Sequence, residues 1–279
     1  MPRRPDPFGR GAPADRNAVT RILAIHAHPD DIETLAAGTL AILAGRGLDV
    51  DVATLTAGEC GSVENAPEET AQTRIDEAAA AAALIGARYR CARLPDLGVF
   101  NDDASRRAVT ELIRALVPDI VITSAPADYH PDHEATSLLV RDACFAASAP
   151  GYRTGDAPPL AAIPHLYFMD PIGGRDRDGR SAIPDFAVDI GAAMEIKRRM
   201  LRAHQSQVAW LRQQHGIEDF TAGMEAQSRR RGRDFGVGFA EGFRQYRHPP
   251  YPRDPRLQTL LKGALLTTSP REETHDDAT

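Results

Sequence analysis

The sequence predicts an α/β protein with a Rossmann-like, mostly parallel sheet, helices on both faces and a C-terminal extension. Apolar strand-like runs alternate with helical runs over residues 20–149, and this βαβαβαβ order is typical of parallel sheets. The run Ile120-Val121-Ile122-Thr123 shows no alternation of apolar and polar residues, which indicates a strand buried on both faces.

Hydrophobic spacing predicts each element of this core in chain order. Apolar residues three and four apart indicate helices, and glycine or proline ends most of them. The predicted strands are at 20–27, 48–56, 88–94 and 119–124. The predicted helices that follow them are at 33–45, 68–85, 104–117 and 134–149.

The alternation stops after Pro150, and the remaining residues predict the extension. It should contain strands at 165–169 and 186–190, helices at 195–215 and 220–231, and an extended segment at 237–246. Because no repeat is visible, we predict one domain at 19–266, with a core at 19–164 and an extension at 165–266. Residues 1–18 and 267–279 are polar or rich in proline and glycine, and predict a disordered leader and a flexible tail.

Composition excludes several functional classes. The formal net charge is −6 and no basic stripe is present, so nucleic-acid binding is not indicated. Cys60, Cys91 and Cys144 are far apart, which argues against a disulfide framework or a cysteine-based zinc site and favours a cytoplasmic protein. No apolar run reaches the length of a membrane span, and none resembles a signal peptide.

Two clusters of histidine and aspartate follow the first and fourth predicted strands. The first is the run HAHPDD, residues 26–31, and the second is HPDH, residues 130–133. In open α/β sheets, ligands bind beyond the carboxyl ends of the strands where strand order reverses. With the common order 3-2-1-4-5, that point lies between strands one and four. We therefore expect the two clusters to be neighbours.

This convergence predicts a divalent metal site with a catalytic base. A catalytic zinc ion usually has three protein ligands and one open position. His28 and Asp31 are three residues apart across a tight turn, and His133 is the expected third ligand. Asp30 and His130 then remain for proton transfer and oxyanion stabilisation, and Asp132 is placed to orient His130.

Other interpretations of these residues remain open. Aspartates at helix starts are common N-caps, although capping does not explain the histidines. His26 competes with His28 as a ligand, but it lies deeper in the strand and is more typical of a core histidine. Two histidines and one carboxylate also suit a non-haem iron oxygenase. A non-catalytic sugar- or metal-binding protein is the remaining alternative.

These motifs resemble the LmbE/PIG-L family of metal-dependent N-acetylglucosaminyl deacetylases. The matching residues are Ala27–Asp31 and His130–His133. Shorter matches support them at Gly58-Glu59, Arg74–Glu77, Leu94–Asp96 and Ala203–Gln207. The resemblance covers roughly residues 20–250.

The resemblance implies an LmbE-like fold and an enzyme that removes an N-acyl group from an amino-sugar substrate. By the same resemblance, Zn²⁺ is held by His28, Asp31 and His133, with Fe²⁺ as an alternative metal. Asp30 is the implied general base, and His130 the oxyanion stabiliser and acid. The residues assigned to substrate binding are Glu59, Arg74, Asp96 and Tyr129.

For several other residues the sequence favours structural roles. His204 and Gln207 fall on the predicted long helix, where packing is the favoured role. The run Arg229–Arg231 indicates a solvated helix face, with a clamp for an anionic substrate or a subunit contact as alternatives. The extension also offers surface for a homo-oligomer contact.

Overall fold

The computed structural model describes residues 19–208 and 220–267, in which one mixed sheet of eight strands forms the centre. The strands are β1 (Arg21–His26), β2 (Asp49–Thr56), β3 (Arg88–Leu94), β4 (Ile120–Thr123), β5 (His165–Met169), β6 (Phe186–Asp189), β7 (Ala240–Gln245) and β8 (Leu265–Leu266). Their spatial order is 3-2-1-4-5-7-6-8. The first five pair in parallel, and the last three join them as antiparallel strands. The predicted order 3-2-1-4-5 is confirmed.

Helices cover both faces of this sheet, as predicted. They are α1 (Asp31–Leu35), α2 (Ala37–Gly45), α3 (Pro67–Ala83), α4 (Asp103–Leu116), α5 (Pro131–Ala147), α6 (Met194–Arg202), α7 (Phe220–Phe235) and α8 (Arg256–Leu260). Along β1, Ile22 and Ala24 pack in one apolar core with α1 and α2. Leu23 and Ile25 pack in a second core with α4 and α5. This two-sided burial explains why the central strands read as continuous apolar runs.

One helix was predicted at 33–45, but the structure divides this segment at Ala36 into α1 and α2. This residue leaves the helical region with φ −139°. The carboxylate of Glu241, on β7, accepts hydrogen bonds from the backbone N–H groups of Gly38 and Thr39 at 2.9 and 2.7 Å. Glu241 thus stabilises the free start of α2 in the way a capping side chain does.

The predicted helix at 195–215 is also shorter than expected. It ends at Arg202, the chain turns at 203–204, and residues 205–208 are helical again. The rest of this predicted helix lies outside the described residues, as do the predicted leader at 1–18 and residues 268–279 of the predicted tail. The division into core and extension stays a prediction, although strands of both parts share one sheet.

The C-terminal extension continues the sheet beyond β5. β7 corresponds to the extended segment expected at 237–246, and β6 lies within the strand predicted at 186–190. β8 is an added edge strand that the sequence pattern did not reveal. Over residues 19–208 and 220–267, the helices are all too short or too polar to cross a bilayer.

Candidate active site

The two histidine–aspartate clusters meet because the strands that precede them are neighbours. β1 and β4 pair in parallel, with Ile25 opposite Thr123, so the segments that follow both strands leave the sheet side by side. The loops after β2 and β3, at 57–66 and 95–102, leave the same edge. The predicted convergence is confirmed by direct contacts between His28 and His133.

The three side chains predicted as metal ligands form a compact triangle. His28 Nδ1 lies 3.2 Å from Asp31 Oδ2 and 3.3 Å from His133 Nε2. His133 Nε2 lies 3.3 Å from Asp31 Oδ1, which closes the triangle. Two further groups of potential metal-ligand atoms share members with this triangle. The ligand atoms of His28, His130 and His133 lie within 4.8 Å of one another, as do those of His26, Asp31 and His133.

The outer nitrogen of each predicted ligand imidazole faces a carboxylate. His28 Nε2 lies 3.1 Å from Asp96 Oδ1 and 3.3 Å from Asp132 Oδ2. His133 Nδ1 lies 3.1 Å from Asp128 Oδ1. With their outer nitrogens protonated toward these carboxylates, the two neutral rings would have their inner nitrogens free to ligate a cation. His28 Nδ1 and His133 Nε2, 3.3 Å apart and both beside Asp31, fit a divalent cation among them.

The charges of this cluster favour positive charge at its centre. Burial lowers the pKa of His133, but the nearby carboxylates of Asp31 and Asp128 outweigh it and raise the pKa to about 9. For His28, burial is likewise outweighed by hydrogen bonds to nearby carboxylates, which raise its pKa well above the usual value. Burial raises the pKa of Asp31, but His133 and His26 together hold it well below its usual range.

Asp30 occupies the position before α1 without capping it. Its side chain makes no hydrogen bond to the helix N–H groups, so the N-cap interpretation of this residue is wrong. Its backbone has φ 92°, in the left-handed region that residues with side chains rarely adopt. Asp30 Oδ2 lies 3.4 Å from Arg74 Nη2. Burial raises the pKa of Asp30 to about 6, despite the opposing charge of Arg74.

His130 borders the predicted ligands, at the N-cap of α5. Its ring stacks on His133 with centroids 4.8 Å apart and meets His28 edge to face at 4.8 Å. His130 Nδ1 accepts a hydrogen bond from the Asp132 backbone N–H at 3.2 Å. The neutral ring therefore carries its proton on Nε2. Burial, together with His28 and His133, lowers the pKa of His130.

Asp132 is placed differently from its predicted role of orienting His130. Its Oδ2 accepts a hydrogen bond from the Leu97 backbone N–H at 2.8 Å and lies 3.3 Å from His28 Nε2. The carboxylate thus contacts a predicted metal ligand and the loop after β3. Contact with His130 comes from the backbone of Asp132 instead.

Arg74 lies at the site, but its guanidinium is bonded to backbone carbonyls. Nη1 donates to Gly58 O and Nη2 donates to Pro29 O, each at 2.8 Å, and the side chain is buried. Gly58 has φ +68°, and a Cβ there would lie 2.1 Å from Arg74 Nη1. Arg74 therefore ties the loop after β2 to the turn that contains Asp30.

The other residues assigned to substrate binding surround the cluster. Asp96 contacts His28, and its backbone N–H donates to Glu59 Oε1 at 2.8 Å. The Tyr129 ring is exposed and lies 5.7 Å from the ring centroids of both His130 and His133. All four predicted residues are thus at the site, although Glu59 and Arg74 also hold loops together.

Several functional candidates were missed or placed elsewhere by the sequence argument. His26 is buried as predicted, but its Nδ1 lies 2.7 Å from Asp31 Oδ2, so it supports the cluster. Asp128, which contacts His133, was missed. Its position two residues before the second motif is the sequence feature that could have identified it. His204, assigned to packing, is fully buried with its Nε2 3.5 Å from Glu33 Oε1.

Comparisons with known proteins identify relatives of this chain. The family model described as PIG-L, GlcNAc-PI de-N-acetylase, matches residues 23–144. A 1D-myo-inositol 2-acetamido-2-deoxy-alpha-D-glucopyranoside deacetylase from Nakamurella multipartita is 31% identical over 240 residues, which cover 68% of this chain and 80% of that protein. Diacetylchitobiose deacetylase from Thermococcus kodakarensis is 28% identical over 204 residues, covering 68% of this chain and 71% of that protein.

A solved structure supports the same fold. N,N'-diacetylchitobiose deacetylase from Pyrococcus horikoshii superposes with a TM-score of 0.70 at 23% identity, covering 81% of this chain and 84% of that one. At this identity the superposition establishes the LmbE-like fold. Together with the 31% identical relative, of which four fifths is covered, it assigns the family. The chain belongs to the PIG-L (LmbE-like) family.

Proposed function

We propose that the protein is a metal-dependent N-deacetylase that hydrolyses the acetamide of an N-acetylglucosamine-type substrate. The relatives named above are deacetylases, and their similarity supports an N-deacetylase activity for this chain. We propose that His28, Asp31 and His133 hold the metal, that Asp30 is the general base and that His130 stabilises the oxyanion. Zn²⁺ is the proposed metal.

The observation that carries this proposal is the triangle of donors at 3.2–3.3 Å, drawn from two motifs that the fold brings together. Each outer imidazole nitrogen lies within 3.3 Å of a carboxylate, the arrangement typical of metal-ligating histidines. Two nitrogens and a carboxylate suit Zn²⁺. A divalent cation held by these three residues would act as a Lewis acid toward the amide carbonyl and would lower the pKa of bound water to about 7.

In this proposal Asp30 accepts the proton of the attacking water at a carboxylate oxygen. Its side chain is free for this role because it makes no capping hydrogen bond to α1. Arg74, 3.4 Å from Oδ2, holds the carboxylate in place while leaving other lone pairs available. The departing amine then takes a proton. The two candidates for this general acid are Asp30, which holds the proton of the water, and His130.

His130 Nε2 is the proposed donor to the developing oxyanion. Because Nδ1 is bonded to the Asp132 N–H, the proton sits on Nε2 and the ring orientation is fixed before substrate binds. Its lowered pKa keeps the ring neutral near pH 7, so it donates without adding a full charge beside the metal site. Preorganised donors of this kind account for roughly 10²–10³-fold in turnover.

The deciding experiment measures amine release from N-acetylglucosamine, diacetylchitobiose and an inositol-linked N-acetylglucosaminide. Metal-stripped protein should be inactive and should regain activity with Zn²⁺. Asp30→Asn and His130→Gln should each reduce kcat at least 100-fold while bound metal, measured by elemental analysis, stays near one per chain. Glu195→Gln, an exposed carboxylate on α6, is the control and should keep full activity.

Two outcomes would replace the proposal with an alternative. Stoichiometric iron in protein purified without added metal, with oxygen consumption in place of amine release, would favour the oxygenase. Tight binding of N-acetylated sugars with no amine release would indicate a non-catalytic binding protein. The LmbE-like fold weighs against the oxygenase, since facial triads usually sit on β-barrels.

A further inference from the structure

The loop after β5 begins beside the segment that leads into the second motif. β4 and β5 pair in parallel, with Thr123 opposite Phe168, so the residues after both strands leave the sheet side by side. The loop opens with a tight turn at 171–174, in which the backbone N–H of Ile172 donates to Asp128 Oδ2 at 2.9 Å. The C-terminal extension thus contacts the candidate site through this backbone hydrogen bond.

Asp128 joins the turn at 171–174 to a predicted metal ligand. Its Oδ1 faces His133 Nδ1 at 3.1 Å, while its Oδ2 accepts the Ile172 N–H. Oδ1 also accepts the His130 backbone N–H at 3.2 Å. The Asp128 side chain is fully buried, and hydrogen bonds in a buried setting are stronger than those exposed to water. The orientation of this carboxylate toward His133 therefore depends on where the turn places the Ile172 N–H.

Side chains of α7 hold the turn from its other side. Gln227 Oε1 accepts the Gly173 backbone N–H at 2.8 Å, and Gln227 Nε2 donates to Pro171 O at 3.0 Å. Arg230, three residues further along α7, donates to the Gly173 carbonyl. Residues three apart on a helix share a face, so Gln227 and Arg230 meet the turn together.

Arg231 holds the two ends of the same loop. Its buried guanidinium bonds at 2.7 Å to Asp170, the residue before the turn, and its Nη2 donates to Ala182 O at 2.9 Å. Arg230 and Arg231 are thus bonded to this loop, which limits the predicted solvated face at 229–231. The grip of α7 on the loop is built from hydrogen bonds at its start, its turn and its end.

We infer that Gln227 on α7 is a positioning residue for the candidate metal site. It holds the turn at 171–174 so that the Ile172 N–H fixes the Asp128 carboxylate against His133. A carboxylate partner sets the ring orientation of a ligating imidazole, so displacing Asp128 should weaken the metal site. This inference rests on the proposed function, because His133 must be a metal ligand for it to hold.

A matched pair of variants at Ile172 tests the hydrogen bond to Asp128. Ile172→Pro removes the N–H, and Pro171 before it has ψ 159°, a conformation compatible with a following proline. Ile172→Ala shortens the side chain and keeps the N–H. In chelator competition for Zn²⁺, we expect Ile172→Pro to weaken binding roughly tenfold, the lower end for losing a partner of a ligand. Ile172→Ala should keep the wild-type Kd.

Gln227→Met tests the contribution of α7. Methionine has nearly the length of glutamine but cannot donate to Pro171 O and is a poor acceptor for the Gly173 N–H. We expect Zn²⁺ binding to weaken by roughly three- to tenfold, because the effect passes through the turn. Arg198→Met is the control, since it removes a different anchor of α7, the 2.6 Å ion pair with Glu225, and should keep the wild-type Kd.

A double-mutant cycle with Asp128→Ala separates positioning from a general loss of structure. Without the Asp128 carboxylate, neither the Ile172 N–H nor Gln227 is connected to His133. Ile172→Pro and Gln227→Met should therefore weaken Zn²⁺ binding no further in the Asp128→Ala protein. Effects that simply add to that of Asp128→Ala would overturn the inference.

The outcomes distinguish this inference from the proposed function. Wild-type Zn²⁺ affinity in both Ile172→Pro and Gln227→Met overturns the inference and leaves the deacetylase proposal intact. If Ile172→Pro does not fold, Gln227→Met and its cycle with Asp128→Ala decide the question. A wild-type protein that binds no Zn²⁺, or an unchanged Kd in His133→Gln, refutes the proposed metal site, and the inference falls with it.

Discussion

Replacing Gly58 with alanine should disrupt the candidate site by displacing Arg74. Gly58 has φ +68°, and a Cβ there would lie 2.1 Å from Arg74 Nη1 and 2.5 Å from Cζ. The guanidinium must move, and its bonds to the Gly58 and Pro29 carbonyls are lost or weakened. A hydrogen bond to a charged group contributes about 1.5–3 kcal/mol, so we expect a loss of about 3 kcal/mol from this displacement.

Gly86→Ala provides the matched control. Gly86, three residues beyond the end of α3, has φ +72°, and a Cβ there would meet nothing within 4 Å. Both variants therefore incur the cost of a side chain in the left-handed region, about 1–2 kcal/mol. Only Gly58→Ala also displaces Arg74. The difference between the two unfolding free energies isolates the contribution of the arginine contacts.

Urea unfolding and amine release measure the two consequences. Gly86→Ala should lose about 1 kcal/mol and keep wild-type kcat, whereas Gly58→Ala should lose about 4 kcal/mol and at least tenfold in kcat. The fall in kcat follows because Arg74 holds the turn that positions Asp30. Equal stability losses and equal kcat for the two variants would refute the role given to Arg74.

Three further outcomes test other parts of the structure. Asp128→Asn should weaken Zn²⁺ binding roughly 10–100-fold in chelator competition, because Asp128 faces the outer nitrogen of His133. The control is Asp178→Asn, which removes an exposed carboxylate. Equal Zn²⁺ affinities for the two variants would contradict the role of Asp128. Lys197→Met should lower the unfolding free energy by about 3 kcal/mol, because it leaves buried Glu241 without its cation. A loss below about 1 kcal/mol in urea unfolding would show that the N–H groups of α2 alone are enough to stabilise the buried Glu241 carboxylate. Adding Zn²⁺ at about 100 times its Kd to metal-stripped protein should stabilise the protein by about 2.7 kcal/mol, measured as a rise in Tm. His133→Gln should abolish that rise. An equal rise in Tm for the variant would show that the metal binds elsewhere.

The convergence of the two motifs was predictable because it depends only on strand order. Parallel strands in the order 3-2-1-4 bring the residues after β1 and β4 together, whatever their separation in sequence. Helix and strand periodicity located most of the elements for the same reason, since burial repeats locally along the chain.

What the sequence did not reveal depends on residues far apart in the chain. The break at Ala36 reflects the carboxylate of Glu241, more than 200 residues away, bonded to the start of α2. The placement of Asp132 beside His28 likewise depends on the loop after β3, through the Leu97 N–H. Periodicity reports which face of an element is buried, but it carries no information on which distant polar group meets that face.

The left-handed backbone at Asp30 directs the side chains of two consecutive aspartates to different neighbours, as their separate proposed roles require. Asp31 Oδ2 accepts the His28 backbone N–H at 2.8 Å and faces His26 and the predicted metal ligands. With φ 92° at Asp30, its carboxylate lies beside Arg74 and makes no bond to the N–H groups of α1. This conformation costs about 1–3 kcal/mol, and the hydrogen bond from Arg74 to the adjoining Pro29 carbonyl, with the ion pair between Arg74 and Asp30, offsets it. The glycine at 58 is then required because it leaves room for that arginine, so the turn that contains Asp30 and the loop after β2 form one unit.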